Sequence, residues 1–339
     1  MRRLTPALAM AMAMGLAAGA AGADSHKTFA PDERVSVESV RFTNRLGIEL
    51  AGDMYLPRGL DRSRRHAVII VGHPFGGVKE QSSGLYAQEL AARGFVTLAF
   101  DASYSGESGG TPRLTVSPEA DVEDFSAAVD FMGTRDFTDR ERIGVLGICG
   151  SGAFALSAAA VDPRMKAVAT VSMYDMGRYT REGLNGALTE AQRRAFLEQV
   201  ARQRWLEFEG AEPAIRFGTP EKLDDADPTR SSGVAREFFD YYRTPRGAHP
   251  NYRGTRLTSG AALANFFPFA NIQAIAPRPI LLVVGELAHS RYFSDDAFAR
   301  AGEPREMLVV SGANHVDLYD QMDKIPFDRL ETFFREHLK

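Results

Sequence analysis

This sequence predicts an α/β fold: a mostly parallel eight-stranded sheet, helices on both faces, and a helical cap inserted after the sixth strand. Three features carry that expectation. Apolar strand-like runs alternate with helix-like runs along most of the chain. Those strand-like runs are continuously apolar, as strands buried on both faces of a parallel sheet must be. The rhythm stops between residues 177 and 271 and then resumes.

Residues 1–23 stand outside the fold. Arg2 and Arg3 precede the Ala/Met/Gly-rich run Ala7 to Gly22, and Ala21-Gly22-Ala23 is a small-x-small cleavage site. That is the pattern of a secretory signal peptide cleaved after Ala23, so the expected location is periplasmic or secreted. No later run reaches the ~18 apolar residues of a spanning helix, and the residue directly after the cleavage site is Asp24, not a cysteine that could take a lipid. Val35 to Phe42 and Ile48 to Leu56 read as an antiparallel hairpin around Thr43-Asn44-Arg45-Leu46-Gly47. Then come the strand His66 to Gly72, the helix Gly84 to Arg93, the strand Phe95 to Phe100 and the helix Pro118 to Gly133. The strand ending at Ile148 leads into the helix Ala153 to Ala160, and the strand Ala167 to Met173 follows. After the interruption, Pro279 to Val284 and Glu306 to Val310 are strands and Phe327 to Leu338 is the last helix. The division is therefore 24–176 and 272–339 for the core, with 177–271 as the cap. A loop that long without structure is rare in a compact domain. Its charged first part carries Phe196, Trp205 and Phe208, and its end carries Phe238, Phe239, Tyr241, Tyr242, Phe266, Phe267 and Phe269. Aromatics in such a segment are more often cap core than substrate contacts.

Charge excludes some functions. The chain has 40 basic and 44 acidic residues, and removing Arg2 and Arg3 brings the formal charge from −4 to −6. Both signs are spread along the chain without a basic run, so nucleic acid is not an expected partner. No metal-ligand spacing or cofactor motif is present, and oligomeric state is not legible.

The one cysteine is the informative residue. Gly147-Ile148-Cys149-Gly150-Ser151 joins a short apolar strand to a helix in the G-x-nucleophile-x-G order, with Ser151 replacing the last glycine. Small residues are needed two before and two after the nucleophile because the turn brings strand and helix into contact. A lone cysteine is more often a small buried hydrophobe. The strand-turn-helix setting favours a nucleophile here, and a thiol without a disulfide partner in an oxidising compartment must be deeply buried or used. Ser151 is the competing nucleophile, two residues further into the helix.

With this elbow the chain resembles the α/β-hydrolase superfamily over nearly its whole mature length, and within it the dienelactone-hydrolase-like members that carry a cysteine. The resemblance implies the α/β-hydrolase fold and a triad in the order nucleophile, acid, histidine. Cys149 takes the first place, and His315, after the last strand, takes the third. Such hydrolases often carry the acid as Gly-x-x-Asp, but Gly285-Glu286-Leu287-Ala288 has alanine there. Glu286 is then the nearest carboxylate, with Asp175 the alternative and Asp295 and Asp296 behind it. The implied roles are a carboxylate that orients His315, an imidazole that keeps Cys149 as thiolate, and an acyl-enzyme resolved by water. The oxyanion donors are the N–H groups of Gly150 and, because Pro74 has none, Phe75. His73, Tyr174, Phe266 and Phe267 are the expected substrate contacts. The glutamate that gates the thiol in dienelactone hydrolases is replaced by Pro74, with Glu80 the nearest substitute. Asp101 reads as a residue that shapes its loop.

The expected function is hydrolysis of an ester, lactone or thioester, with a small acyl compound as partner and no membrane insertion. A peptidase or amidase, an acyl transferase, and an inactive binding protein on a hydrolase scaffold are the alternatives. Fold alone does not separate them.

Overall fold

Eight apolar runs assemble into one sheet, seen here in a computed structural model that describes residues 26–223 and 233–339. The predicted signal peptide lies outside the described residues. In chain order the strands are β1 (Val35–Thr43), β2 (Glu49–Pro57), β3 (His66–Gly72), β4 (Val96–Phe100), β5 (Thr138–Ile148) and β6 (Ala167–Val171), then β7 (Ile215–Arg216) and β8 (Thr255–Arg256) in the insertion, then β9 (Ile280–Gly285) and β10 (Arg305–Val310). The sheet order is β1-β2-β4-β3-β5-β6-β9-β10. β2 runs antiparallel to β1 and β4, and every later neighbour is parallel. Parallel neighbours need crossovers, and these carry α1 (Ser82–Ala92), α2 (Pro118–Gly133) and α3 (Gly150–Val161).

The remaining helices are α4 (Met176–Glu182), α5 (Glu190–Phe208), α6 (Gly233–Tyr242) and α7 (Gly260–Ala264) in the insertion, followed by α8 (Arg291–Arg300), α9 (Asp317–Asp320) and α10 (Phe327–His337). α10 shows why a charged C-terminal segment folds onto the sheet. Phe327, Leu330, Phe333 and Phe334 recur at helical spacing and are buried. Phe334 reaches so close to Gly144 of β5 that any side chain there would collide with its ring. Burying each of the two adjacent phenylalanines is worth about 1.5–3 kcal/mol. α1 and α10 share one face of the sheet, while α2 and α3 pack together on the other. Among the described residues no helix is long and apolar enough to cross a membrane.

Element ends and one element differ from the sequence reading. β5 begins at Thr138, ahead of the apolar run, because Thr138 still pairs with His66 of β3 on the far side of a bulge that takes in residues 139–142. α8 was not anticipated, since only Phe293, Ser294 and Ala297 of its ten residues are buried. The insertion leaves the sheet after β6 and returns before β9. It is helical but also holds the β7–β8 ladder. Its aromatics divide: Phe196 packs with Val200 and Leu257 in a small outer cluster, Tyr241 and Tyr242 join the main core, and Trp205 and Phe208 are exposed.

Candidate active site

The elbow follows from close packing. Cys149 sits between β5 and α3 at φ 54°, a left-handed conformation that costs a non-glycine residue about 1–3 kcal/mol. Its N–H donates to Val171 and its carbonyl accepts from Tyr174, so β6 and the segment just after it hold the turn on both sides. A side chain at Gly147 would run into the Ser151 carbonyl, which is why that position is glycine. Ser151, the competing nucleophile, lies in the first turn of α3, and its Oγ donates to the His73 carbonyl. The backbone N–H groups of Phe75 and Gly150 both point at Cys149 Sγ, as does the Tyr319 hydroxyl. Burial nevertheless pushes the thiol above the ordinary cysteine value, because the two amides and the hydroxyl around it recover only part of the lost hydration. The expected thiolate at rest is thus corrected to a neutral thiol.

His315 lies on the loop after β10, pinned to the sheet from below. Ser172 Oγ donates to its carbonyl at 2.9 Å, while Asn314 and Asp317 exchange side-chain to backbone hydrogen bonds around it. Gly285 lets this loop lie against the end of β9, since a Cβ there would strike the Ala313 and Asn314 carbonyls. The ring is fully buried. Its Nε2 is 2.9 Å from the Tyr319 hydroxyl, and its Nδ1 is 2.6 Å from Ser290 Oγ. No hydrogen bond joins His315 directly to Cys149: Tyr319 stands between them and bonds to each. Burial pushes the imidazole well below its ordinary pKa, and His289, with ring centroids 4.7 Å apart, pushes the same way. His315 is therefore a neutral base. The tautomer with the proton on Nδ1 donates to Ser290 and leaves Nε2 free toward Tyr319, as a base facing Cys149 requires.

The acid is where the sequence reading needs correcting. Glu286 is exposed, and its Oε2 accepts from Ser311 Oγ at 2.8 Å and Gly312 N–H at 2.9 Å. It closes the turn after β10 instead of orienting His315, because the residue directly following β9 points to the neighbouring strand's turn. Asp175 caps α4 through the Arg178 N–H at 2.8 Å, and burial raises its pKa to about 6. Asp295 and Asp296 face Arg291, Arg300 and Arg178 on the surface of α8. The acid's place beside Nδ1 is taken by Ser290, a residue the sequence reading missed. Replacing Glu286 by Gln is accordingly expected to leave kcat and KM within about twofold of wild type, as an exposed surface change should. A loss of a hundredfold would return it to the site.

A cavity of about 370 Å³ opens over Cys149. The core contributes Phe75, Tyr174 and Tyr319 to its lining, and the insertion contributes Phe217, Phe238, Tyr242 and Tyr252. Tyr174 is the one expected substrate contact that lines it. His73 is spent on structure, with Nδ1 2.8 Å from the Pro74 carbonyl and Nε2 accepting from Ala102 N–H at 3.1 Å. Phe266 packs on Phe154 and Phe267 lies exposed under Arg181, because aromatic content does not tell which face of the insertion a ring occupies. Glu80 sits in a separate buried cluster with Lys79 and His249, away from the thiol. Asp101 accepts from the N–H groups of Lys79 and Glu107, holding its loop, and burial raises it to about 7. Tyr319, four residues beyond His315 on α9, was also missed, although i, i+4 spacing after a candidate histidine is a usable signal.

Comparison with known proteins agrees with this architecture. Residues 47–218 match the family model described as X-Pro dipeptidyl-peptidase (S15 family). The chain is 51% identical over 323 residues to the uncharacterized protein PA2218 of Pseudomonas aeruginosa, covering 92% of this chain and 84% of that one. The crystal structure of PA2218 superposes with a TM-score of 0.87, over 92% of this chain and 96% of that one. Uncharacterized protein YcjY of Escherichia coli K12 is 37% identical over 305 residues, 88% of this chain and 98% of its own. Thiohydrolase aneE of Aspergillus aculeatus is 25% identical over 254 residues, 75% and 77% of the two chains.

Proposed function

The chain belongs to the X-Pro dipeptidyl-peptidase (S15) family of α/β hydrolases, and on that footing we propose that it hydrolyses an acyl ester or thioester through a covalent intermediate on Cys149. The observation that carries this reading is the convergence on one sulfur. The Phe75 and Gly150 amides and the Tyr319 hydroxyl all reach Sγ at the base of an aromatic cavity, and His315 lies one hydrogen bond beyond.

The chemistry runs through those groups. Sγ attacks the carbonyl carbon; the thiol proton passes to the Tyr319 oxygen as Tyr319 gives its own to His315 Nε2. The substrate oxygen gains charge within reach of the two amides. The bond to the leaving group then breaks, the imidazolium proton returns through Tyr319 to that group, and an acyl thioester remains. Water attacks this in turn, gives a proton to the same relay, and releases the acid and the thiol. Burial keeps Tyr319 protonated, well above the ordinary phenol range, so it acts as a neutral relay and not as a phenolate.

A thiol nucleophile suits a thioester substrate, because the first transfer exchanges one thioester for another at little cost, and similarity to a thiohydrolase supports that choice. Among the described residues the cavity lining holds no carboxylate to receive a free α-amino group, which favours an uncharged acyl group there over a peptide N-terminus. The inactive-scaffold reading draws on one observation: Ser290, not a carboxylate, meets His315. Intact-protein mass spectrometry after mixing with a nitrophenyl ester and an acyl thioester decides between them. An acyl mass increment on the Cys149 peptide is expected. Neither adduct nor turnover with either compound would leave the scaffold reading.

Two smaller expectations follow. Because His315 is depressed, it stays neutral as pH falls through the ordinary imidazole range, so kcat/KM should hold well below the usual pKa of about 6.5. The stability sign agrees. Unfolded His315 takes up a proton near its ordinary value while the folded ring does not, so its contribution is present above that value and is lost as pH falls toward the folded pKa. A kcat/KM profile with its acid limb at the ordinary imidazole value would contradict the buried neutral base. We also propose export, tested by sequencing the N-terminus of protein recovered from the bacterial periplasm: Asp24 is expected first, and retention of Met1 would exclude cleavage.

A further inference from the structure

A second cavity, about 660 Å³, lies wholly within the insertion. It shares Tyr179, Leu184 and Phe217 with the cavity over Cys149, so the two are neighbours, with these three side chains forming the wall between them. Their chemistry differs. Among the described residues the cavity over the thiol has no charged residue in its lining. The second is lined by Arg202, Arg216, Gln192 and Gln199 and, among the described residues, by no carboxylate. Arg216, on β7, forms no ion pair among the described residues; its guanidinium lies over the rings of Phe196 at 4.4 Å and Phe217 at 5.5 Å. Among the described residues Arg202 pairs only with Glu198, at 3.7 Å, and both side chains are largely exposed.

We propose that this second cavity binds the anionic end of an elongated acyl substrate whose reactive carbonyl sits at Cys149. The proposal rests on the acyl-cysteine reading above and names its substrate class: an ester or thioester with a terminal carboxylate or phosphate. A guanidinium laid on aromatic faces is already oriented, so less freedom is lost when an oxyanion pairs with it. Two amide side chains supply further donors. The shared aromatic wall receives the apolar chain between the two ends. A neutral chain of the same length fills the wall but leaves both guanidinium groups to water.

The test uses the full chain and two matched series. One is nitrophenyl half-esters of dicarboxylic acids against methyl-ended esters of equal length; the other is acyl thioesters of a phosphorylated alkyl thiol against its unphosphorylated form. The first places the anion on the acyl side and the second on the leaving side. In at least one series, beyond the length that reaches across the wall, KM should fall roughly tenfold for the charged member. Arg202→Gln with Arg216→Gln should remove that advantage and leave turnover of the acetyl ester unchanged. No charge preference in either series, or one that survives both substitutions, overturns the proposal. Calorimetry on Cys149→Ala separates this from failure of the parent reading. Long-chain carboxylates and alkyl phosphates should bind that protein more tightly than length-matched alcohols, and lose the difference when both arginines are replaced, whether or not any ester is turned over. Equal binding of acids and alcohols there also overturns it.

Discussion

Cys149→Ala is expected to lower turnover of an activated acyl ester by about 10⁴-fold or more while the protein remains folded. The size follows from what is removed. Without the sulfur no acyl-enzyme forms, and cavity binding, the two amide donors and the Tyr319–His315 pair are left to assist a direct attack by water. The fold should tolerate the change because alanine is smaller and apolar, and the strained turn is fixed by backbone bonds to Val171 and Tyr174 that do not involve the side chain. Ser151→Ala is the matched control. It removes the hydroxyl that holds the His73 carbonyl, costing about 1 kcal/mol of stability with turnover within a few-fold. If Ser151→Ala were the silent enzyme and Cys149→Ala kept a tenth of wild-type activity, the nucleophile would be the serine.

His315→Ala should cost about 10³–10⁴-fold in kcat, since without the imidazole Tyr319 has no base to which it can pass the thiol proton. Tyr319→Phe is the sharper measurement. The phenylalanine keeps the ring that packs against Tyr241 and Tyr242 and deletes only the hydroxyl between Sγ and Nε2. As a relay, that hydroxyl is worth roughly 10²-fold in kcat with little change in KM, within the usual range for a positioned proton-transfer group. As a simple plug, its removal would let imidazole and thiol approach, and activity would hold or rise. Alkylation reports the same point independently. Iodoacetamide should modify Cys149 slowly at neutral pH and faster as pH rises past the ordinary thiol value, because burial has pushed the thiol up. Rapid alkylation near neutral pH would mean that an imidazolium–thiolate pair exists after all.

The fold was legible because it is written in local pattern. Continuous apolar runs such as Val68 to Val71 and Leu281 to Val284 belong in a sheet covered on both faces, and both are fully buried there. The elbow was legible for the same reason: strand, glycine, cysteine, glycine and helix are consecutive in the chain. α8 was not, because a single buried phenylalanine in a charged stretch leaves no readable stripe.

The site partners of His315 were legible only in part, and the reason is geometric. Glu286 was chosen on its distance along the chain from the end of β9. Which residue of that loop meets the ring depends on how the loop after β9 and the loop after β10 fold against each other. Gly285 brings those loops together, Glu286 turns to cap Gly312, and Ser290 arrives at Nδ1. The same holds for the insertion: its aromatic content was visible, but Phe238 and Tyr242 face the thiol while Phe266 and Phe267 do not. The sequence by itself determined the sheet, the elbow and the candidate nucleophile, because periodicity and small-residue spacing act over a few neighbouring positions. Only the tertiary structure decided that a tyrosine stands between thiol and imidazole and that a serine replaces the carboxylate, since those contacts join residues whose approach is set by the packing of separate loops and helices.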